Sequence, residues 1–225
     1  MQMICKQNLQ EEDWGFLLIY AQNAFNEENQ TTMLWVVRSE CSSGVHFTFK
    51  IYSHWATPVI RYRGETGNFI HSKESVTQGD TLKIIVYVLG VLPLIRKIQE
   101  VHPKTTQPCY EDDAGSVGTF PHILDHLGNI MAWGTHQGYL PEPTKGILVV
   151  SVHNFGWSEI FFWGRGLAIV TGSRYMGGYV GDAEHQAEWL SEKVKEWVGG
   201  FRMMAGVACK HPQAAYVGLH KCLQQ

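Results

Sequence analysis

Charge is scarce in this chain, and what there is nearly cancels: 18 Lys and Arg stand against 21 Asp and Glu, a formal charge of −3. That balance counts against a surface built to coat phosphate backbones, because such contacts need clustered cations. Paired cysteine spacing is lacking as well. Cys5, Cys41, Cys109, Cys209 and Cys222 are scattered and odd in number, with no CxxC. This excludes a disulfide framework and reads as reduced thiols in an intracellular protein of nucleus or cytoplasm. No charged stretch followed by an apolar core opens the sequence, so no secretory signal is read there. The longest apolar run, Ile84 to Ile95, is too short to span a bilayer and contains Pro93, so a soluble protein without a membrane partner is expected. Internal repeats and low-complexity segments are missing too.

What is present is core-forming. Hydrophobic residues make up 44% of the 225 and there are eight Trp, enough for several packed layers. Phe16-Leu17-Leu18-Ile19-Tyr20, bounded by Gly15, reads as a buried central strand. Asn26 reads as a helix cap, with Met33, Leu34 and Val37 as the apolar face. Alternating residues predict a hairpin from Val45–Ile51 to Thr57–Tyr62, turning near Gly64–Gly67. Thr77-Gln78-Gly79-Asp80 opens a helix with Leu82, Ile85, Val86, Leu89, Leu92 and Ile95 at helical spacing.

A short strand then runs into the acidic turn Tyr110-Glu111-Asp112-Asp113. A helix is predicted over Phe120–Trp133, a Pro-rich loop over Gly138–Lys145 and a strand over Gly146–Ser151. A short helix over Trp157–Gly164 and a hairpin of Leu167–Thr171 with Tyr175–Val180 follow. Helices over Ala183–Val198, Phe201–Cys209 and Ala214–Gln224 end the chain. Strands interleaved with helices but including tight hairpins imply an α+β fold, an antiparallel sheet backed by helices.

The acidic turn is the strongest chemical feature. Two adjacent carboxylates repel each other unless a cation sits between them. Mg²⁺ is commonly held by one or two carboxylates together with substrate phosphates. A sharp turn is needed, since regular pleating sends neighbouring side chains to opposite faces. An Asp-Asp pair alone is ordinarily a solvated turn.

Its context is more specific. Ala24-Phe25-Asn26 follows the first buried strand, Gln78-Gly79 opens a helix ahead of the acidic pair, Lys145 precedes the next strand, and Tyr175-Met176-Gly177-Gly178 lies in a later hairpin. In order and spacing these resemble the motifs of reverse transcriptases of the non-LTR retrotransposon type, over nearly the whole chain. The resemblance implies a polymerase palm-like sheet over 1–181, with a residual fingers insertion near 41–75, and a helical thumb-like segment over 182–225. It implies an RNA-directed DNA polymerase ancestry, a nucleotidyltransferase using two Mg²⁺ ions, an RNA template, a DNA primer and dNTPs.

By the same resemblance Asp112 and Asp113 are catalytic metal ligands. Lys145 is a general acid near the leaving pyrophosphate. Phe25 packs under the incoming sugar, and Gln78 and Gly79 lie against template and nucleotide. Tyr175, Met176 and Gly177 grip the primer end. Read without that order, Phe25 is a core residue and Lys145 a solvated loop charge.

The chain departs from the pattern at one decisive place. Tyr20 stands where the family has an aspartate that bridges both metal ions. A phenol is neutral near pH 7 and a poor Mg²⁺ ligand. Asp13 and Glu27 lie too far along the chain to replace it, Glu111 belongs to the opposite face of its strand, and Asp80 is the nearest substitute. Thr81 replaces a usual proline and Glu111 a usual small residue. The first strand starts close to Met1, so most of the fingers are expected to be absent. The expectation is a catalytically inactive copy. The alternatives are a non-catalytic nucleic-acid-binding remnant and a functionless translated fragment.

Three other constellations are weaker. Cys209-Lys210-His211 and His220-Lys221-Cys222 have gaps too short for a structural zinc site. His122 and His126 share a helical face without a motif glutamate, which points to surface or capping roles. Gly164-Arg165-Gly166 precedes a strand rather than following one, unlike a dinucleotide loop.

Overall fold

The computed structural model describes residues 13–22, 24–27, 29–54, 59–62, 65–69, 82–110 and 113–219; residues 25, 26, 59–62, 65–69, 110 and 113 are described as backbone only. The chain divides into two compact units, Met1–Thr171 and Gly172–Gln225. Among the described residues no helix is long and apolar enough to cross a membrane.

The first unit is built on strand β1 (Trp14–Tyr20), whose Phe16, Leu17, Leu18 and Ile19 are all buried. Four consecutive buried side chains must cover both faces of the sheet, because side chains alternate along a strand. β1 pairs antiparallel with β5 (Asp113–Thr119) on one side and β6 (Ile147–Val150) on the other. β4 (Cys109–Tyr110) extends the sheet beyond β5, and β7 (Ala168–Val170) extends it beyond β6. The order β4-β5-β1-β6-β7 mixes four antiparallel strands with a parallel β6–β7 pair.

Two helical crossovers interleave in this sheet. One leaves β1 through α1 (Ala24–Glu27), α2 (Gln30–Glu40), α3 (Val45–Tyr52), the separate β2–β3 hairpin (Val59–Tyr62 and Glu65–Phe69) and α4 (Lys83–Val101), and enters at β4. The other runs from β5 through α5 (Phe120–Gly134) to β6. The chain order β-α-β-β-α-β with β1 at the centre is a split βαβ arrangement. The expected α+β class is therefore observed. Leu17, Ile19, Ala114, Leu148 and Val150 of the sheet share one apolar core with Met33 and Val37 of α2, Leu94 and Ile98 of α4, and Ile123, Leu127 and Ile130 of α5.

Local signals explain most of these elements. In α5 the buried residues recur at helical spacing, Pro121 sits in the first turn where its missing N–H costs nothing, and Gly134 ends the helix. α2 is capped by Asn29, whose Oδ1 accepts from Thr32 N at 2.9 Å, rather than by Asn26, because α1 intervenes.

Four expectations are corrected. Val45–Ile51 is a helix, not a strand, and it buries Thr48 and Tyr52 while Phe47, Phe49 and Ile51 point outward. The alternation in the sequence reflects exposed aromatics, not a pleat. In α4 the buried stripe runs through Val86, Tyr87, Val91, Leu94 and Ile98, and Ile85 is 59% exposed. That helix is apolar on nearly every side, so spacing alone does not select the buried face. β7 joins the main sheet after helix α6 (Phe155–Phe161), and the hairpin is β8 (Gly172–Tyr175) with β9 (Gly178–Gly181). Finally, α7 (Ala183–Ala208) is a single helix running through Gly199 and Gly200, followed by α8 (Pro212–Gly218). Each glycine costs about 1 kcal/mol against Ala, which two long flanking stretches absorb.

The second unit is the β8–β9 hairpin with α7 and α8, so the hairpin groups with the helices that follow it. Tyr179 lies against Trp189, ring centroids 6.0 Å apart, and Gln186 Nε2 donates to Tyr179 O at 3.4 Å. Asp182 caps α7, its Oδ1 accepting from the backbone N–H groups of Glu184 and His185, both at 3.0 Å.

Candidate active site at the end of the central strands

The β1–β5 register brings together what the sequence separates. Tyr20 pairs with Asp113, and Asp113 pairs in turn with Tyr110 of β4. Positions 110, 113 and 20 therefore form one row across three adjacent strands. Asp112, Glu111, Gln78, Gly79 and Asp80 lie outside the described residues, as does the side chain of Phe25, whose backbone sits in α1 directly after β1. Asp13 lies at the far end of β1, where its carbonyl accepts from Phe120 N at 2.7 Å. That placement removes it as a substitute for the side chain at position 20.

On its other side the end of β1 is held by the loop before β6. Gln22 N donates to Leu140 O at 2.7 Å, and Glu142 N donates to Tyr20 O at 2.9 Å. The loop then turns through a 3₁₀ segment, Pro143–Lys145, into β6. Gly146 permits the close return: a Cβ there would meet Pro143 O at 2.9 Å and the side chain of Leu167 at 2.6 Å. Tyr20 is half-buried in this setting, between β5 and the loop.

Lys145 is brought to the same end of the sheet, and its Nζ forms an ion pair with Glu142 Oε2 at 2.7 Å. The Lys145 side chain is largely exposed, so the pair is screened by water. Glu142 escaped the sequence reading. Its placement depends on a backbone hydrogen bond to Tyr20, which leaves no side-chain pattern; the only hint is its position between Pro141 and Pro143, which favours an extended loop.

Tyr175, Met176 and Gly177 lie in the second unit. Tyr175 is buried at the end of β8, and Met176 and Gly177 form the turn with φ of 49° and 75°. Positive φ at both central residues is the type I′ geometry that matches strand twist.

The rival constellations resolve individually. His122 Nδ1 lies 2.7 Å from Thr119 Oγ1 at the start of α5, a side-chain contact that caps no backbone N–H. His126 is buried, contrary to the surface or capping role expected of it. Neither of its ring nitrogens has a hydrogen-bond partner among the described residues. Burial, with the nearby His102 ring 6.1 Å away, pushes its pKa down to about 4. His102 itself bonds Asn129 Nδ2 through Nε2 at 2.6 Å. His126 also borders a cavity of about 20 Å³ shared with Cys109, Ala114 and Gly115, at the base of the β4–β5 hairpin. Cys209 and His211 are exposed, and His220 and Cys222 lie outside the described residues. Gly164 and Gly166 both have positive φ and precede β7. Among the described residues no group of three or more His, Cys, Asp or Glu is placed to hold a metal ion.

No known sequence family and no curated protein matches this chain. Among solved structures it is similar to apo telomerase from Candida tropicalis truncated from the C-terminal domain, at 12% identity and a TM-score of 0.47, covering 79% of this chain and 36% of that one. It is also similar to telomerase from Candida albicans in complex with a TWJ fragment of telomeric RNA, at 10% identity and a TM-score of 0.48, covering 80% and 32%. The chain thus spans about a third of the length of these structures.

Proposed function

We propose that this chain is a reverse-transcriptase-type palm of retrotransposon origin that has lost polymerase activity. The observation that carries the reading is the pairing of Tyr20 with Asp113 in adjacent strands of one sheet. The motif order requires a carboxylate at position 20, next to the acidic pair, and a phenol is there instead. In an active relative two Mg²⁺ ions would clamp the attacking and leaving oxygens of nucleotide transfer. A neutral phenol supplies no bridging ligand between two such ions.

The Lys145–Glu142 pair supports the same reading. A general acid for a leaving pyrophosphate must point its proton at the phosphate. Here the largely exposed ammonium has a neighbouring carboxylate as a water-screened, weak competitor, and the hydrogen bond from Glu142 N to Tyr20 O fixes that neighbour beside β1. In this reading the charge pattern of the site is spoiled chiefly at position 20.

Primer extension tests the proposal. The full chain is given an RNA template, an annealed DNA primer and dNTPs with Mg²⁺, and separately with Mn²⁺. No template-dependent product is expected. Extension that follows the template sequence and disappears in Asp113→Ala overturns the reading.

A further inference from the structure

We propose that the surface formed by α2 and α3 binds single-stranded nucleic acid by stacking bases on Trp35 and Phe49. Two exposed aromatic side chains of these short helices line one groove: Trp35 is 62% exposed and Phe49 55%. Large exposed aromatics gathered in one place mark interaction sites in soluble proteins. Between the helices runs a groove of about 400 Å³, lined by Thr31, Leu34, Trp35, Arg38, Phe49 and Ser53 among others. Its size falls in the range of small-ligand clefts and admits a nucleobase.

Charge selects the partner. The chain as a whole is negative, with a formal charge of −3, yet from Cys41 to His54 it contains no Asp or Glu while carrying Lys50. Within α2 and α3 the one acid, Glu40, is held by Arg96 at 2.6 Å and so is offset. Arg38 lines the groove and is exposed to a polyanion, while Lys50 is exposed on α3 outside the lining. The Arg38 guanidinium lies 5.2 Å from the centroid of the Trp35 ring, so cation and stacking plane already stand together. Exposed aromatic planes beside unopposed cations are the chemistry of single-strand binding, in which the backbone is held by charge and the bases by stacking. A duplex keeps its bases stacked on each other and offers nothing to Trp35, and an uncharged apolar peptide has no use for Arg38 and Lys50.

This site owes nothing to the sheet end, and a chain with no polymerase activity is expected to bind in the same way. The test is fluorescence anisotropy of the full chain with labelled oligo(U) RNA, oligo(dT) DNA and a duplex of equal length, at rising salt. Binding of the single strands over the duplex, weakening as salt rises, is expected; the two single-strand arms decide between RNA and DNA. Trp35→Ala and Phe49→Ala should each weaken binding about tenfold, Trp35→Phe should retain most of it, and Arg38→Gln should make the salt dependence shallower. Circular dichroism melts verify that each variant is folded, and Lys50→Gln, a surface change, gives a second charge variant. Absence of binding at low salt, equal binding of the duplex, or parental affinity in folded Trp35→Ala and Phe49→Ala overturns the proposal.

Discussion

Tyr20 is the register partner of Asp113, at the point where β1 meets the β4–β5 hairpin. If position 20 is all that denies a divalent ion its bridging ligand, restoring a carboxylate there should restore ion binding before it restores catalysis. Tyr20→Asp is expected to gain a Mg²⁺-dependent rise in melting temperature of a few degrees, which the parent lacks. A ligand at 100 times its Kd stabilises the native state by about 2.7 kcal/mol. Differential scanning fluorimetry with and without Mg²⁺ reads the difference directly. Lys145 remains paired with Glu142 in that variant, so full primer extension is not expected from it alone.

His126 should make the first unit sensitive to acid. Its folded pKa is depressed to about 4 by burial, against an ordinary value of 6.5. The unfolded chain therefore binds a proton between those two values that the folded chain refuses. Stability is fully present above about pH 6.5 and falls as pH drops toward 4, by roughly 3 kcal/mol for a shift of that size. The groups around the ring are His102, which opposes its charging, and the lining of the small cavity, which is apolar apart from Gln107, Cys109 and Tyr139. Urea denaturation at a series of pH values should show this slope, and His126→Leu should flatten it. An unchanged slope in a folded His126→Leu would place the acid sensitivity elsewhere.

The elements legible in the sequence were those with one strong local cause. β1 announced itself by an apolar run buried on both faces, and α5 by spacing, an early proline and a final glycine. The failures have physical causes too. Alternating Val45, Phe47, Phe49 and Ile51 imitate a pleat, but Thr48 and Tyr52 carry the buried face of a helix. α4 is so uniformly apolar that several faces fit the helical period. Nothing in Ala168–Val170 tells that it pairs with β6 in parallel, because that choice rests on the α6 (Phe155–Phe161) crossover and not on the strand. At the site, motif order anticipated that positions 20 and 113 would be neighbours, while Glu142 arrives through backbone hydrogen bonds that no residue pattern records.

Asp182 and His185 form a cap whose two parts can be separated. The hydrogen bond that His185 Nδ1 donates to the Asp182 carboxylate, and then the carboxylate's charge, hold the His185 pKa above its ordinary value. The carboxylate, despite some burial that works the other way, is held below its own by bonds from His185 and Glu184. Asp182→Ala should lower the His185 pKa, measurable by NMR titration of the ring protons, and should cost about 1 kcal/mol of stability in the second unit through loss of the cap. The His185 contribution runs opposite to that of His126. It is present below the ordinary histidine value and lost as pH rises through the raised one. Asp182→Asn keeps the capping oxygen but not the charge, so it should lower the pKa while preserving most of the stability.

Met176 is the residue of the second unit whose replacement should stabilise it. Its φ of 49° is left-handed, and the following Gly177, at 75°, completes a type I′ turn between β8 and β9. A side chain with a Cβ in that region costs roughly 1–2 kcal/mol, a cost that Gly does not carry and Asn carries less of. The side chain is 54% exposed, so little packing offsets the strain. Met176→Asn should therefore raise the stability of the hairpin by about 1 kcal/mol, because Asn both tolerates the conformation and bonds its own backbone locally. Met176→Gly should gain less, since glycine also enlarges the unfolded ensemble. Hydrogen exchange at the β8–β9 amides checks the order Asn above Gly above Met, and slower exchange in the parent than in both variants would show that the methionine is held there by contacts stronger than its strain.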